Sequence, residues 1–187
     1  DGLNTAGDFN ADGFPDVMMA HTYIPPLPGT RGVYIYSGAP AGVSSFGVGC
    51  SIATGRSPTS TTAVPRIGAT FEPQLGQPFR LHVSETEPNS SALLMIGASN
   101  STWSGQPLPL ELSGFGLPNC QLLVSPDAFF SAKTKPPGVA QGAATLEFLV
   151  PLDSALVSLY AQWLVVRPPR VGAAIGLTRG LAITVQN

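Results

Sequence analysis

Glycine and proline interrupt this chain so often that no stretch of a dozen residues free of both shows helical periodicity. The 187 residues include 21 glycines and 19 prolines. Apolar and polar residues alternate, as in half-buried strands, over residues 79–83, 146–150 and 181–185. Longer apolar runs, typical of more fully buried strands, occupy residues 92–98, 121–125 and 156–166. Short strands separated by turn residues predict an all-β fold with an antiparallel β-sandwich or jelly-roll-like domain.

Composition divides the chain into three parts. Residues 1–40 contain an acidic segment followed by the alternating run at 32–37, which predicts a strand. Residues 41–65 consist largely of Gly, Ala, Ser, Thr and Pro, so they are predicted to form a linker. Residues 66–187 contain the remaining strand patterns and are predicted to form the β-sandwich domain.

The chain is sparsely charged. Charged residues make up 11% of it, where roughly a quarter is usual, yet 43% is hydrophobic, which is enough for a core. No cluster of Lys and Arg offers a footprint for nucleic acid. No apolar run approaches the roughly 20 residues of a transmembrane helix, so we expect no membrane insertion. The chain starts at Asp1 without a leader, and we therefore expect a processed product that is secreted or attached to the cell surface.

Acidic residues are concentrated near the N-terminus. Four of the eleven, Asp1, Asp8, Asp12 and Asp16, precede Arg31, the first basic residue. The rest of the chain is close to neutral. The acidic excess therefore belongs to one short segment.

The segment from Asp8 to Asp16 has the spacing of a calcium loop. Ca²⁺ prefers six to eight hard oxygen ligands, and Gly13 allows the sharp turn that lets ligands on both sides converge. Three carboxylates within nine residues would repel one another without a cation. We predict a Ca²⁺ site formed by the side chains of Asp8, Asn10, Asp12 and Asp16 and the backbone carbonyl of Phe14.

The two cysteines, Cys50 and Cys120, lie far apart in sequence and outside any CxxC pattern. In a secreted protein such a pair favours one disulfide. The alternative is two buried free thiols, and the spacing alone does not choose between them.

The N-terminal motif resembles a known family. GDFNADGFPDV followed by GVYIYSG is similar to a single FG-GAP repeat, the calcium-binding blade unit of integrin-type β-propellers. Over residues 5–40 the resemblance implies side-chain ligands at Asp8, Asn10, Asp12 and Asp16 and a carbonyl ligand at Phe14. A propeller needs several blades, whereas this chain has one repeat. The resemblance therefore implies that the repeat docks on its own second domain or on another subunit.

The remainder, residues 49–187, resembles a β-rich C-terminal domain that follows repeat modules in large secreted bacterial proteins. The matching features include Gly49-Cys50, Asn119-Cys120, the segments 73–76, 107–112 and 159–163, and Gly180-Leu181. This resemblance implies secretion and a disulfide between Cys50 and Cys120. It provides no assigned activity that could be transferred to this chain.

Catalytic and zinc-binding motifs are missing from the sequence. The two histidines, His21 and His82, are far apart and form no HExxH or related spacing, and no serine lies in a GxSxG elbow. We therefore expect no enzyme. A hydrolase fragment is less favoured than either a structural module or a carbohydrate-binding module.

Three loop residues are candidates for contacts with glycans. Trp103 lies in a polar segment and could stack on a sugar ring or cover an edge of the core. Asn89 and Asn100 begin N-x-S/T sequons, which would be exposed glycosylation sites in a host that modifies them.

The preferred function is a non-catalytic, calcium-stabilised extracellular structural module. A weakly charged all-β surface favours edge-to-edge pairing, so we expect a homo-oligomer, with subunits joined end to end into a filament or surface layer. The alternative is a carbohydrate-binding or adhesive module with a glycan or cell-surface partner.

Overall fold

The computed structural model describes residues 2–7, 16–21 and 32–36 by their backbone, and residues 38–52, 64–138, 142–153, 157–168 and 175–186. The chain forms two compact units, Asp1–Pro40 and Ala41–Asn187. The described residues of both units form antiparallel strands, which confirms the predicted all-β class and the β-sandwich.

The strands, in chain order, are β1 (Gly2–Gly7), β2 (Asp16–His21), β3 (Gly32–Tyr36), β4 (Val43–Phe46), β5 (Cys50–Ile52), β6 (Arg66–Thr70), β7 (Pro78–Ser84), β8 (Ser91–Gly97), β9 (Thr102–Trp103), β10 (Gln106–Pro107), β11 (Leu110–Glu111), β12 (Gln121–Leu122), β13 (Ala128–Lys133), β14 (Ala144–Leu149), β15 (Ser158–Val166), β16 (Ile175–Leu177) and β17 (Gly180–Thr184). One turn of 3₁₀ helix lies between β11 and β12.

The N-terminal unit contains a three-stranded antiparallel sheet in the order β1-β2-β3. Strand β3 confirms the strand predicted from the alternating run at 32–37. The β1–β2 register is irregular between Thr5 and Gly7, and after this irregularity Gly7 lies opposite Asp16. The chain from Gly7 to Asp16 therefore connects two adjacent antiparallel strands.

The C-terminal unit is built around a seven-stranded sheet. Its order is β13-β8-β15-β16-β5, with β17 between β15 and β4. Strand β15 is nine residues long and pairs with β8 on one side and with both β16 and β17 on the other. Its apolar side chains and the burial of its central residues on both faces fit this position.

A three-stranded sheet in the order β14-β7-β6 covers one face of the seven-stranded sheet. Alternate residues of β7, namely Phe79, Leu81 and Val83, are buried in the core between the sheets. The seven-stranded sheet also contains Trp163, which is fully buried and lies in the apolar run 156–166 that predicted a buried strand. Residues of both sheets, among them Leu81 and Ile96, line an apolar cavity of about 250 Å³.

The opposite face of the seven-stranded sheet is covered by the segment 98–125, which we call the covering segment. It contains β9 to β12 and ends in Leu122, Leu123 and Val124, which belong to one buried cluster with Met95 of β8. Gly97 precedes it, and a Cβ atom there would lie 1.7 Å from the carbonyl oxygen of Ser125, so the crossing requires glycine. The central strands β8 and β15 are therefore buried on both faces.

Part of the predicted linker belongs to this sheet. Strand β4 pairs with β17, and β5 pairs with β16, so residues 43–46 and 50–52 are edge strands and not linker. Val43 and Cys50 are buried while Ser44 is exposed. Small and glycine residues conceal this pattern in the sequence. Residues 53–63 lie outside the described part.

Candidate functional site

The predicted calcium ligands lie at the β1–β2 connection. Asp8, Asn10, Asp12 and Phe14 are outside the described residues, and Asp16 is described by its backbone only, as the first residue of β2. Within the part of the chain that is described, no group of three or more His, Cys, Asp or Glu side chains could hold a metal ion. The calcium site therefore stays a prediction, and the structure adds that Gly7 and Asp16 are paired.

We expect Asp12→Ala to weaken Ca²⁺ binding on the order of a hundredfold, because it removes both a ligand and a negative charge. Isothermal titration calorimetry with Ca²⁺ measures this. Asp153→Ala is the matched control, since Asp153 is an exposed carboxylate far along the chain, and it should leave binding unchanged. Equal Ca²⁺ affinity in wild type and Asp12→Ala would show that the ligand assignment is wrong.

Cys50 and Cys120 form a disulfide with a Cα–Cα distance of 5.3 Å, which confirms the pairing implied by the resemblance. It joins β5 to the covering segment. A disulfide is consistent with an oxidising, extracellular environment. Among the described residues, no helix is long and apolar enough to cross a membrane.

Strand β13 forms an edge of the seven-stranded sheet and pairs, among the described strands, with β8 alone. The N–H of Thr134 donates to the carbonyl of Ser90 at 2.9 Å, continuing this pairing beyond the strand. Hydrogen-bonded and non-hydrogen-bonded pairs alternate in an antiparallel ladder. The backbone groups of Phe129, Ser131 and Lys133 therefore point away from β8, along the outer edge.

The outer edge of β13 carries exposed aromatic side chains. Phe129 is 55% exposed and Phe130 is 38% exposed. The ring of Phe130 makes an edge-to-face contact with Phe148 of β14 at a centroid distance of 5.0 Å. Asp127 and Lys133 are also exposed, and they lie just before and at the end of the strand. The outer edge of β13 therefore has backbone groups that no other described strand pairs and two exposed phenylalanine side chains. One acidic and one basic side chain lie at its ends.

Trp103 lies in the β9–β10 hairpin and is 36% exposed. Ser104 and Gly105 form the two-residue turn with φ of 46° and 78°, the left-handed conformations that such hairpins need. The hairpin holds Trp103 at the surface with Gln106 as its cross-strand partner. Stacking of Trp103 on a sugar stays a prediction.

The two sequons lie in connections on either side of β8. Asn89 is exposed in the β7–β8 turn with φ of 59°, and Asn100 is partly exposed in the β8–β9 connection. The hydroxyl of Ser99 accepts hydrogen bonds from the backbone N–H groups of Ser101 and Thr102, each at 3.1 Å. Glycosylation at Asn89 and Asn100 stays a prediction.

His82 has a structural environment on the outer face of the three-stranded sheet. It is half-buried and paired with Gly68, where a Cβ atom would lie 2.3 Å from the imidazole Nε2. Burial lowers the pKa of His82 and so favours the neutral imidazole. The side chain of His21 lies outside the described part.

Comparison with known proteins finds no matching family model, no matching curated protein and no matching solved structure. The resemblances of residues 5–40 and 49–187 therefore stay predictions.

Proposed function

We propose that this chain is a non-catalytic extracellular structural module that associates with copies of itself through the outer edge of β13. The observation that carries the proposal is the combination of outward backbone groups with exposed Phe129 and Phe130 on that edge. An incoming strand satisfies such groups and covers the apolar side chains at the same time. A second copy of the same edge is the partner that we propose.

Charge complementarity supports one register of this pairing. A two-fold axis at Phe130 pairs Phe129 of each copy with Ser131 of the other, and both of these residues have outward backbone groups. The same register brings Lys133 of each copy toward the exposed Asp127 of the other. The paired segment in this register ends before Lys135, whose backbone N–H donates to the carbonyl of Ala143 of its own chain at 2.8 Å. An isologous contact of this kind produces a dimer.

The N-terminal unit would supply the second contact that turns dimers into filaments or layers. Calcium bound by the Asp8–Asp16 segment would order that unit, because its carboxylates repel one another without a cation. The disulfide supports secretion, since such bonds persist in oxidising compartments. Sparse surface charge leaves little repulsion between neighbouring copies.

Size-exclusion chromatography with light scattering tests the β13 contact. Lys133→Glu should shift a dimer to monomer, with a dimer dissociation constant raised about tenfold or more, because the attraction to Asp127 of the other copy becomes repulsion between two carboxylates. Lys135→Glu is the matched control, since it makes the same charge change two residues beyond the paired segment. A wild-type monomer at high concentration with Ca²⁺, or equal behaviour of the two variants, would contradict the proposal.

Negative-stain microscopy tests the filament separately. With Ca²⁺ we expect extended assemblies, and with EDTA we expect them to fall apart to dimers. If EDTA gives monomers, calcium acts on the β13 contact, and the assignment of two distinct contacts is wrong.

A further inference from the structure

Phe71 has a backbone conformation that is rare for its type. It directly follows β6, has φ of 70°, and leaves 51% of its surface exposed. A bulky residue in the left-handed region is strained, and an exposed aromatic ring gains little from burial to offset that strain. Phe71 thus places an exposed aromatic ring at the start of the loop between β6 and β7.

The loop that follows Phe71 is held from two sides. The N–H of Gln186 donates to the carbonyl of Pro73 at 2.8 Å, and the N–H of Gly76 donates to the carbonyl of Val150 at 2.9 Å. The N–H of Val150 donates in return to the carbonyl of Gln77 at 3.1 Å. These bonds tie residues 73–77 to the C-terminal strand and to the end of β14. The loop is therefore preorganised.

A shallow, open cleft of about 440 Å³ lies on this loop, and it is lined by the exposed residues Phe71, Glu72, Gln74, Gln77 and Pro78. The amide of Gln74 donates to the Glu72 carboxylate at 2.7 Å, so these two exposed side chains contact each other. Amides and a carboxylate in one wall offer several donors and acceptors close together. The cleft thus presents one aromatic ring and convergent planar polar groups.

Arg80 supports the ring from β7. Its guanidinium carbon lies 5.2 Å from the centroid of the Phe71 ring, a cation–π distance. Its Nε donates to the Glu147 carboxylate at 2.5 Å, which holds the guanidinium in place. The residues that line the cleft include one carboxylate, Glu72, and no basic side chain, and this balance disfavours anionic ligands.

We propose that this cleft binds a neutral saccharide, with the Phe71 ring as the stacking surface. The C–H face of a pyranose is apolar and carries partial positive charge, which complements the negative face of an aromatic ring. Neighbouring hydroxyls are paired donors and acceptors, and planar Glu and Gln side chains match them two at a time. Preorganisation of the loop lowers the ordering cost of binding. The site is separate from β13 and does not depend on self-association.

Calorimetry with neutral gluco-, manno-, galacto- and chito-oligosaccharides tests the proposal, with an oligogalacturonate as the anionic comparison. We expect at least one neutral oligomer to bind and the anionic one to bind more weakly. Phe71→Gly should weaken binding about tenfold or more. Glycine adopts positive φ without strain, so this variant removes the ring while thermal melting stays at or above the wild-type midpoint.

Two further variants distinguish saccharide binding in this cleft from binding at Trp103. Gln77→Ala should also weaken binding, because it removes an amide side chain from a residue that lines the cleft. The backbone carbonyl of residue 77 still accepts from the N–H of Val150, so the loop keeps its support. Trp103→Ala should leave binding unchanged. No binding of any neutral oligomer at millimolar concentration would overturn the proposal, as would full affinity in Phe71→Gly or loss of binding in Trp103→Ala alone.

Discussion

Replacement of both Cys50 and Cys120 by alanine is expected to lower the free energy of unfolding by about 4 kcal/mol. The disulfide spans a sequence separation of 70 residues, and in the chain-entropy model a cross-link of this span restricts the unfolded chain by that amount. Alanine avoids placing a hydroxyl in a site where Cys120 is fully buried. Guanidinium denaturation should show the loss as a lower midpoint.

Reduced wild-type protein is the control for this experiment. It lacks the cross-link but keeps both sulfur atoms, so it should lose nearly as much stability as the double variant. Hydrogen exchange should rise first in the covering segment, because the disulfide joins that segment to β5. A loss below about 1 kcal/mol would mean that the covering segment is held by other contacts alone.

Strands with strong alternation could be predicted from the sequence because one face of each is buried. In β7, Phe79, Leu81 and Val83 alternate with Arg80 and His82, and burial follows the same alternation. The central strand β15 was likewise predictable, since apolar residues occur on both of its faces. In these strands the burial observed in the fold agrees with the apolar pattern of the local sequence.

The proposed functional surfaces could not be predicted in the same way. Strand β13 reads AFFSAK, and because it lies at an edge its residues are exposed or partly exposed on both faces, so no period of two appears. The conformation of Phe71 belongs to a loop held by Gln186 and Val150, which are distant in sequence. Both surfaces arise from tertiary contacts that a single sequence does not show.

The calcium segment is the opposite case. Its predicted ligands are close in sequence, so the hypothesis depends only on spacing and residue type, and it stays a prediction. The backbone adds only that Gly7 and Asp16 pair across β1 and β2. Local motifs can be read from the chain, whereas sites assembled from distant residues require the fold.

A buried polar side chain, that of Gln162, also holds the covering segment in place. Gln162 lies in the centre of β15 and is fully buried. Its Oε1 accepts a hydrogen bond from the N–H of Leu123 at 2.9 Å, and its Nε2 donates to the carbonyls of Gln121 at 3.1 Å and Thr178 at 2.9 Å. One side chain therefore satisfies three backbone groups from two other parts of the fold.

Gln162→Leu should lower the free energy of unfolding by about 3 kcal/mol or more. Leucine has a similar volume, so the main loss is the desolvation of backbone groups left without a partner, at about 1–3 kcal/mol for each. Leu164→Met is the matched control on the same strand and face, and such a volume-conserving change should cost less than about 1.5 kcal/mol. Urea denaturation measures both.

Hydrogen exchange at Leu123 distinguishes the loss of this bond from a general loss of stability. The Leu123 amide donates to a side chain, so in Gln162→Leu its protection should fall further than that of amides in the β8–β15 ladder. If Leu123 kept its protection while stability fell, the destabilisation would come from packing of the leucine and not from the lost hydrogen bonds. Because Gln162 bonds the segment next to Cys120, the double cysteine variant and Gln162→Leu should be non-additive when combined.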